Sequence, residues 1–292
     1  MALVGTLAFS GKAIIIKLAY RYGVDAVTLI MYRMLFALPV LVAMAWWASR
    51  GQAPLARRDW VGICLLGFSG YYLASFLDFL GLAYISASLE RLILYLNPTI
   101  VMLLGLVLFK RRATARQVLG MGISYSGVML VFGHEVMLPG DGNNAAAALG
   151  ALLVFLSAIS YALYLVFSGE MVKRIGSLRL VGLASTVACL CCLLQFVLLR
   201  PLSAALVAPQ VIWLSLLNAS VCTVLPVLLI MLAIERIGAS MTAQTGMLGA
   251  MSTILMGVFI LDEPLTLWVA AGTVLVITGI FVFTREKAQK GI

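Results

Sequence analysis

The chain reads as ten successive apolar runs, each close to the length of a bilayer crossing, separated by short charged or Pro/Gly-rich breaks. Within the hydrocarbon core a backbone must satisfy its own polar groups. A crossing is therefore a helix of about 20 apolar residues or a strand of a closed barrel. The runs cover 2–21, 26–49, 60–81, 86–109, 117–134, 146–168, 178–200, 210–233, 239–261 and 266–284. Soluble domains carry about 25% charged residues, whereas here the charged fraction is 11% and the hydrophobic fraction 63%. A soluble enzyme, a nucleic-acid binder and a secreted disulfide scaffold are thereby excluded. The expectation is an all-α integral membrane protein of ten helices in which 292 residues leave almost nothing outside the bilayer. Met1 opens almost directly into the first run, so that helix is expected to serve as a retained signal anchor.

The breaks hold turn formers or charge, as in Gly51-Gln52-Ala53-Pro54, Lys110-Arg111-Arg112, Pro139-Gly140-Asp141-Gly142 and Asp262-Glu263-Pro264. Orientation follows from the Lys/Arg bias. With the N-terminus inside, the inner loops and tail hold fourteen cations, among them Arg57, Arg58, Lys110, Arg111, Lys173 and Arg236, and the outer loops hold only Arg21 and Arg200. The net charge of +9 is thus read as basic cytoplasmic loops, with both termini inside and no nucleic-acid partner. Cys64, Cys189, Cys191, Cys192 and Cys222 lie within apolar runs and read as small hydrophobes. His134 is the only histidine, and no P-loop, paired-aspartate or HExxH motif is present, so no metal, cofactor or catalytic residue is expected.

Offsetting the chain by 152 residues matches the fourth and fifth runs to the ninth and tenth. Ile85-Ser86-Ala87-Ser88 falls on Ile237-Gly238-Ala239-Ser240. Gly105, Gly120 and Gly127 fall on Gly257, Gly272 and Gly279, and Thr114 falls on Thr266. A repeat of five crossings must re-enter from the opposite side, so the expectation is two inverted repeats, 1–134 and 146–284, with a basic cytoplasmic tail at 285–292. Ser10-Gly11-Lys12, the stretch from Ile85 through Asn97-Pro98, and Leu261-Asp262-Glu263-Pro264 with Gly272 and Gly279 resemble the EamA-like drug/metabolite transporters. The resemblance covers nearly the whole chain. It implies ten helices, a central cavity and secondary transport of a small metabolite, frequently export. One departure is that Glu263 has Phe109-Lys110-Arg111 in place of its counterpart in the first half.

Six ionisable residues fall inside runs, all in the first half: Lys12, Lys17, Arg33, Asp78, Glu90 and Arg91. Each costs at least about 2.5–3.5 kcal/mol at the bilayer centre, so they are expected to face protein or a water-filled cavity. Counting along the runs puts Lys17, Arg33, Asp78, Glu90 and Arg91 toward the outer half, as an ion-paired strut or outer gate, or as a coupling site at which Asp78 or Glu90 exchanges a proton. Lys12 sits deeper with nothing acidic expected at its depth, and reads as a contact for a substrate anion or as a cation held by a carbonyl or tyrosine. Asn97-Pro98 interrupts the fourth run at mid-depth, as a site-forming break or a packing kink. Neutral polar groups stand opposite: Ser157, Ser160, Tyr161 and Tyr164 on the sixth run, Asn218 and Thr223 on the eighth, Thr242, Gln244 and Thr245 on the ninth. Substrate contacts are expected from Lys12, Tyr95, Asn97, Tyr161, Tyr164, Asn218 and Gln244. Partners are the lipid bilayer, a small-molecule substrate and, on the coupling reading, a proton. Monomer and homodimer stay open. The reading is a multi-pass transporter of a bacterial inner membrane moving an amino-acid-like or other small polar or amphipathic solute, with a passive channel or a non-transporting scaffold or receptor as the alternative.

Overall fold

The computed structural model describes residues 2–109, 114–137, 144–226, 229 and 248–289. Gln244, Thr242, Thr245, Arg236, the Lys110–Arg112 stretch and the matched Gly238-Ala239-Ser240 lie outside the described residues. The described chain is helical, with no strand among its residues. In order the helices are α1 (Ala2–Tyr20), α2 (Ala26–Ser49), α3 (Arg57–Leu66), α4 (Ala74–Leu82), α5 (Ala87–Leu94), α6 (Asn97–Phe109), α7 (Ala115–Met137), α8 (Asn144–Ile175), α9 (Ser177–Leu199), α10 (Pro209–Ala219), α11 (Leu248–Leu261) and α12 (Leu267–Gln289). Six segments are long and apolar enough to cross a bilayer: Leu3–Tyr20, Ala26–Ser49, Arg57–Leu82, Ala87–Leu108, Ala145–Gly169 and Ser177–Leu199. Pro209–Val224, Met251–Leu261 and Leu267–Phe283 are shorter apolar helices beside them.

Local chemistry sets the ends. The Asp25 carboxylate accepts from Val27 N–H at 3.0 Å and Thr28 N–H at 3.2 Å, capping α2. Ser86 Oγ accepts from Leu89 N–H at 3.0 Å and caps α5. Thr114 and Gln117 cap α7 reciprocally, at 3.0 and 3.3 Å, and Thr266 Oγ1 accepts from Val269 N–H at 3.2 Å at the start of α12. The matched threonines thus do the same work in both halves. Run six, expected at 146–168, continues as helix to Ile175. Hydropathy falls at Glu170, Lys173 and Arg174, but hydrogen bonding does not, and Arg174 pairs with Asp59 of α3. The helix stops where Gly176 takes φ +84°, a conformation open to glycine.

Runs three and eight, expected as plain helices, each contain a π-helical turn, at Gly67–Leu73 and Ser220–Val224. A π turn displaces carbonyls from the regular ladder, and side chains answer them. Ser160 Oγ donates to Ser69 O and Ser157 Oγ donates to Ala74 O, both at 2.7 Å, while Thr223 Oγ1 donates to Asn218 O at 3.0 Å. Ser157 and Ser160 are therefore spent on fastening α8 to the α3–α4 segment.

Large apolar side chains face outward in numbers a soluble protein does not tolerate; Val107 is 77% and Phe259 80% exposed. Helix pairs bury the rest: α7 against α12, α2 against α9, α4 against α8, α1 against α11, α6 against α8, α10 against α1 and α2, and α9 against the first π turn. The α7–α12 crossing depends on glycine. A Cβ on Gly120 would stand 2.7 Å from Gly279 O, and one on Gly127 would stand 2.7 Å from Gly272 O, so the backbones touch there. Those two contacts run in opposite senses along the helices, making α7 and α12 antiparallel.

Candidate functional site

The polar centre lies where α1, α2, α4 and α5 meet. Lys12 on α1 is 6% exposed, Asp78 on α4 2%, Glu90 on α5 0% and Arg91 4%. Lys12 Nζ donates to Asp78 Oδ2 at 2.5 Å and stands 3.8 Å from Glu90 Oε1. The expectation that no acid lies at the depth of Lys12 is thus corrected. The pairing spans 66 residues, and depth counted from the ends of apolar runs is too coarse to register it. Arg91 Nε is 3.9 Å from Glu90 Oε2, and Arg91 Nη2 reaches Ser10 O at 3.5 Å. Phe9 lies under both cations, 5.7 Å from Lys12 Nζ and 5.5 Å from the Arg91 guanidinium carbon.

Arg33 on α2 makes no ion pair among the described residues. Its Nε donates to Thr223 Oγ1 at 3.0 Å and its guanidinium sits 5.2 Å over the Phe79 ring. Several buried polar atoms have no hydrogen-bond partner among the described residues: Asp78 Oδ1, both Glu90 oxygens, Arg91 Nε, Arg33 Nη1, Asn97 Oδ1 and Asn218 Oδ1. Asn218 is 1% exposed and reaches this group through its carbonyl and Thr223. A buried polar group without a partner loses about 1–3 kcal/mol, more when charged, so the centre is chemically unfinished.

The fourth run breaks where expected. α5 ends at Leu94 and α6 begins at Asn97. Pro98 has no N–H to give the Leu94 carbonyl, and Asn97 Nδ2 donates to that carbonyl at 3.0 Å instead. The Tyr95 hydroxyl lies against Gly249 of α11, 3.3 Å from where a Cβ would be. Ser10 Oγ donates to Gly249 O at 2.9 Å and Thr253 Oγ1 to Ser10 O at 3.1 Å, stitching α1 to α11 beside the break.

Tyr161 and Tyr164 are in a different place. Their rings stack with centroids 5.8 Å apart, and the Tyr164 hydroxyl lies 3.3 Å from that of Tyr71. This trio packs with Ile63, Leu66 and Leu180, and Tyr71 also packs against the apolar cluster around Ala13, Ile16 and Phe79 next to Lys12. Tyr71 was not anticipated, because nothing local distinguishes it from Tyr72. Lys17 also leaves the expected group. It is within electrostatic reach of Glu263 and Glu135, beyond the Asp78–Glu90 pair.

Those two acids form a second polar feature. Glu263 accepts from Ala87 N–H at 2.7 Å, Ser88 N–H at 3.3 Å and Ser88 Oγ–H at 2.8 Å, across the N-terminus of α5. Glu135 accepts from the Ser86 hydroxyl beside it. Asp262, at φ +59°, makes the turn that aims Glu263, and Glu263 N–H donates to Gly257 O at 3.1 Å. Arg21 Nη2 donates to Leu261 O at 2.8 Å at the same end of the bundle. The Ser86-Ala87-Ser88 stretch is a cap signature, and its carboxylate partners are remote in sequence.

Residues 1–133 and 148–285 both match the model of the EamA-like transporter family. An uncharacterized transporter of Bacillus subtilis, YcbK, is 31% identical over 277 residues, covering 91% of this chain and 85% of its own. An uncharacterized transporter of Archaeoglobus fulgidus is 24% identical over 97% of this chain and 96% of its own. A WAT1-related protein of Arabidopsis thaliana is 26% identical over 94% and 86%. A solved crystal structure at 18% identity overlays with a TM-score of 0.61, covering all of this chain and 97% of that one, and so shares the fold.

Proposed function

The chain belongs to the EamA-like transporter family of the drug/metabolite transporters, and from that premise we propose that it is a secondary transporter exporting a small polar or amphipathic metabolite by alternating access. The rocking units are the inverted repeats 1–134 and 146–284, in a bacterial inner membrane, with both termini and the 285–292 tail cytoplasmic. The Glu263 end of the bundle is then the outer end. The family and its relatives' names point to transport rather than catalysis, and the relatives include a bacterial transporter.

One observation carries the reading: the contacts between the halves map onto one another when each residue is exchanged for its counterpart 152 away. The Gly120–Gly279 contact becomes Gly272–Gly127, also a contact. Ser124 Oγ lies 3.5 Å from Val276 O, its own counterpart. The π turn at Gly67–Leu73 maps onto the one at Ser220–Val224. Counterparts that meet do so beside the axis relating the halves. Because α7 and α12 are antiparallel, that axis crosses them rather than running along them. This favours inversion over parallel duplication, and inversion is the architecture that lets one backbone adopt two exchanged states.

On this reading Lys12, Arg91, Tyr95, Asn97 and Asn218 meet substrate, with Arg33, Asp78 and Glu90 holding the charge around them. Tyr161 and Tyr164 line the mirrored position, and Lys17 belongs to the outer gate. The test is counterflow in proteoliposomes with pooled labelled amino acids, nucleosides and organic acids. A carrier gives saturable uptake accelerated by the same solute inside. Uptake without saturation or acceleration points to a channel, and none for any pool overturns transport of these classes.

A further inference from the structure

We propose that in this conformation Glu90 holds a proton shared with Asp78, and that this proton and an anionic cargo bind the site together. The inference rests on the carrier reading and names what that site takes. It starts from the atoms left without partners. Lys12 commits its short contact to Asp78 Oδ2, and Glu90 is left with cations only at 3.8 and 3.9 Å. Glu90 is fully buried, and among the described residues neither of its oxygens has a hydrogen-bond donor and Asp78 Oδ1 has none either. Two carboxylates side by side, each short of a donor, are what a single proton mends. Asp78 and Glu90 converge on the same cation, with Lys12 Nζ 2.5 Å from Asp78 Oδ2 and 3.8 Å from Glu90 Oε1. A proton on Glu90, taken from the aqueous phase, donates to Asp78 and removes the like-charge repulsion between them.

The remaining orphans point to the cargo. Arg33 Nη1 and Arg91 Nε are buried donors without acceptors among the described residues. With Glu90 neutral, Lys12, Arg33 and Arg91 face one carboxylate, so the centre has two positive charges in excess. An anion supplies both acceptors and countercharge. Among the described residues, other groups packed around Glu90 do not change the sign. α10 and its π turn bring Cys222 and Thr223, the α8 tyrosines Tyr161 and Tyr164 lie apart with Tyr71, and α11 has no ionisable residue. α12 has none as far as Phe283. On α7, Tyr125 sits near Thr99, while His134 and Glu135 lie at the Ser86 end with Lys17. Proton and anion therefore favour each other's binding and travel in one direction.

Infrared spectroscopy of the lipid-reconstituted protein at neutral pH tests the proton directly. A protonated carboxylic-acid carbonyl band is expected, lost in Glu90→Gln. That variant copies a protonated glutamate, so its melting temperature should stay within a few degrees of the parent. No such band, together with a fall of roughly 10 °C or more in Glu90→Gln, would mean an ionised Glu90 and overturn the proposal, because removing one member of a buried ion pair is strongly destabilising. Counterflow of labelled organic anions tests the cargo. It should rise on acidification and lose that dependence in Glu90→Gln. Counterflow of cations or neutral solutes only, or anion counterflow indifferent to pH, overturns this inference while leaving the carrier reading intact. The infrared result stands whether or not any pool is transported, so the two failures are distinguishable.

Discussion

Removing the carboxylate at Glu263 should open the outer end of the bundle. Glu263 is half-buried and bonds α5 at Ala87 N–H (2.7 Å), Ser88 Oγ–H (2.8 Å) and, more weakly, Ser88 N–H (3.3 Å). It also sits at the positive end of the α5 dipole. A hydrogen bond to a charged group contributes about 1.5–3 kcal/mol, and two good ones would sum to about 3–6 kcal/mol in a dry site. Partial exposure reduces that, and about 3 kcal/mol is the working value. At about 1.4 kcal/mol per tenfold, Glu263→Ala should then shift the ratio of closed to open outer ends by roughly 150-fold. Glu263→Gln, which still accepts hydrogen bonds but has no charge, should fall between. Spin labels at exposed Tyr84 and Leu265, in a cysteine-depleted background, would read the shift as a longer distance population. An unchanged distribution in Glu263→Ala would refute the reasoning that this carboxylate holds the halves together.

Three further outcomes follow from the packing and the caps. Gly279→Ala should lower the melting temperature, since its Cβ would stand 2.5 Å from Ser124 N and 2.6 Å from Gly120 O; overpacking of this kind costs about 1–3 kcal/mol. Gly122→Ala, with nothing within 4 Å, should stabilise by about 0.5–1 kcal/mol of helix propensity and so raise the melting temperature, and thermal melts of the two side by side check the crossing. Pro98→Ala should restore an N–H to the Leu94 carbonyl, straighten the α5–α6 break and abolish counterflow without lowering the melting temperature; unimpaired counterflow would make the break a packing feature. Burial alone would lift the Asp25 carboxyl, but bonds from Thr28 and Val27 and the nearby Arg200 hold it below the usual carboxylate range. Its stabilisation of the α2 start is therefore complete above about pH 4 and lost as pH falls further, which hydrogen exchange at Val27 and Thr28 would detect and Asp25→Asn would remove.

What could be read from sequence was what is decided locally. Apolar length and charged breaks mark the crossings, and Pro98 marks a break because the missing donor is a property of one residue. Thr114 and Thr266 announce helix starts for the same reason. The partner of Lys12 is decided by how α1 and α4 lean on each other. An error of one helical turn, about 5.4 Å, separates a lone lysine from a salt bridge. The glycine repeat was legible as a pattern, but not which glycines meet: Gly120 touches Gly279, not its counterpart Gly272. The π turns leave no local mark in composition, and show only in the bonds that Ser157, Ser160 and Thr223 make to the displaced carbonyls. Glu263 was visible as a departure between halves, yet the N–H groups it caps lie 175 and 176 residues away.

A repeated backbone with unrepeated side chains has a consequence for the working cycle. Under the inverted-repeat reading the frame itself is indifferent between its two exchanged states, so any preference comes from residues that differ from their counterparts. By the 152-residue offset Lys12 corresponds to Tyr164, Arg33 to Ser185, Asp78 to Ile230, Glu90 to Thr242 and Glu263 to Arg111. Each pair sets a charged group against a neutral or opposite one. The central charges thus sit on one repeat only, and move as a body with it when it rocks against the other. The Glu263 clasp ties the second repeat to the first at one end, and the residue at the matching position of the other end is a cation unsuited to capping a helix N-terminus. On the proposed orientation the closed outer end is then the resting preference, and on the proposed mechanism cargo or proton acts against it. Since a ligand shifts such a balance only by its differential affinity for the two states, about 3 kcal/mol at the clasp sets the scale of what substrate must contribute at the centre.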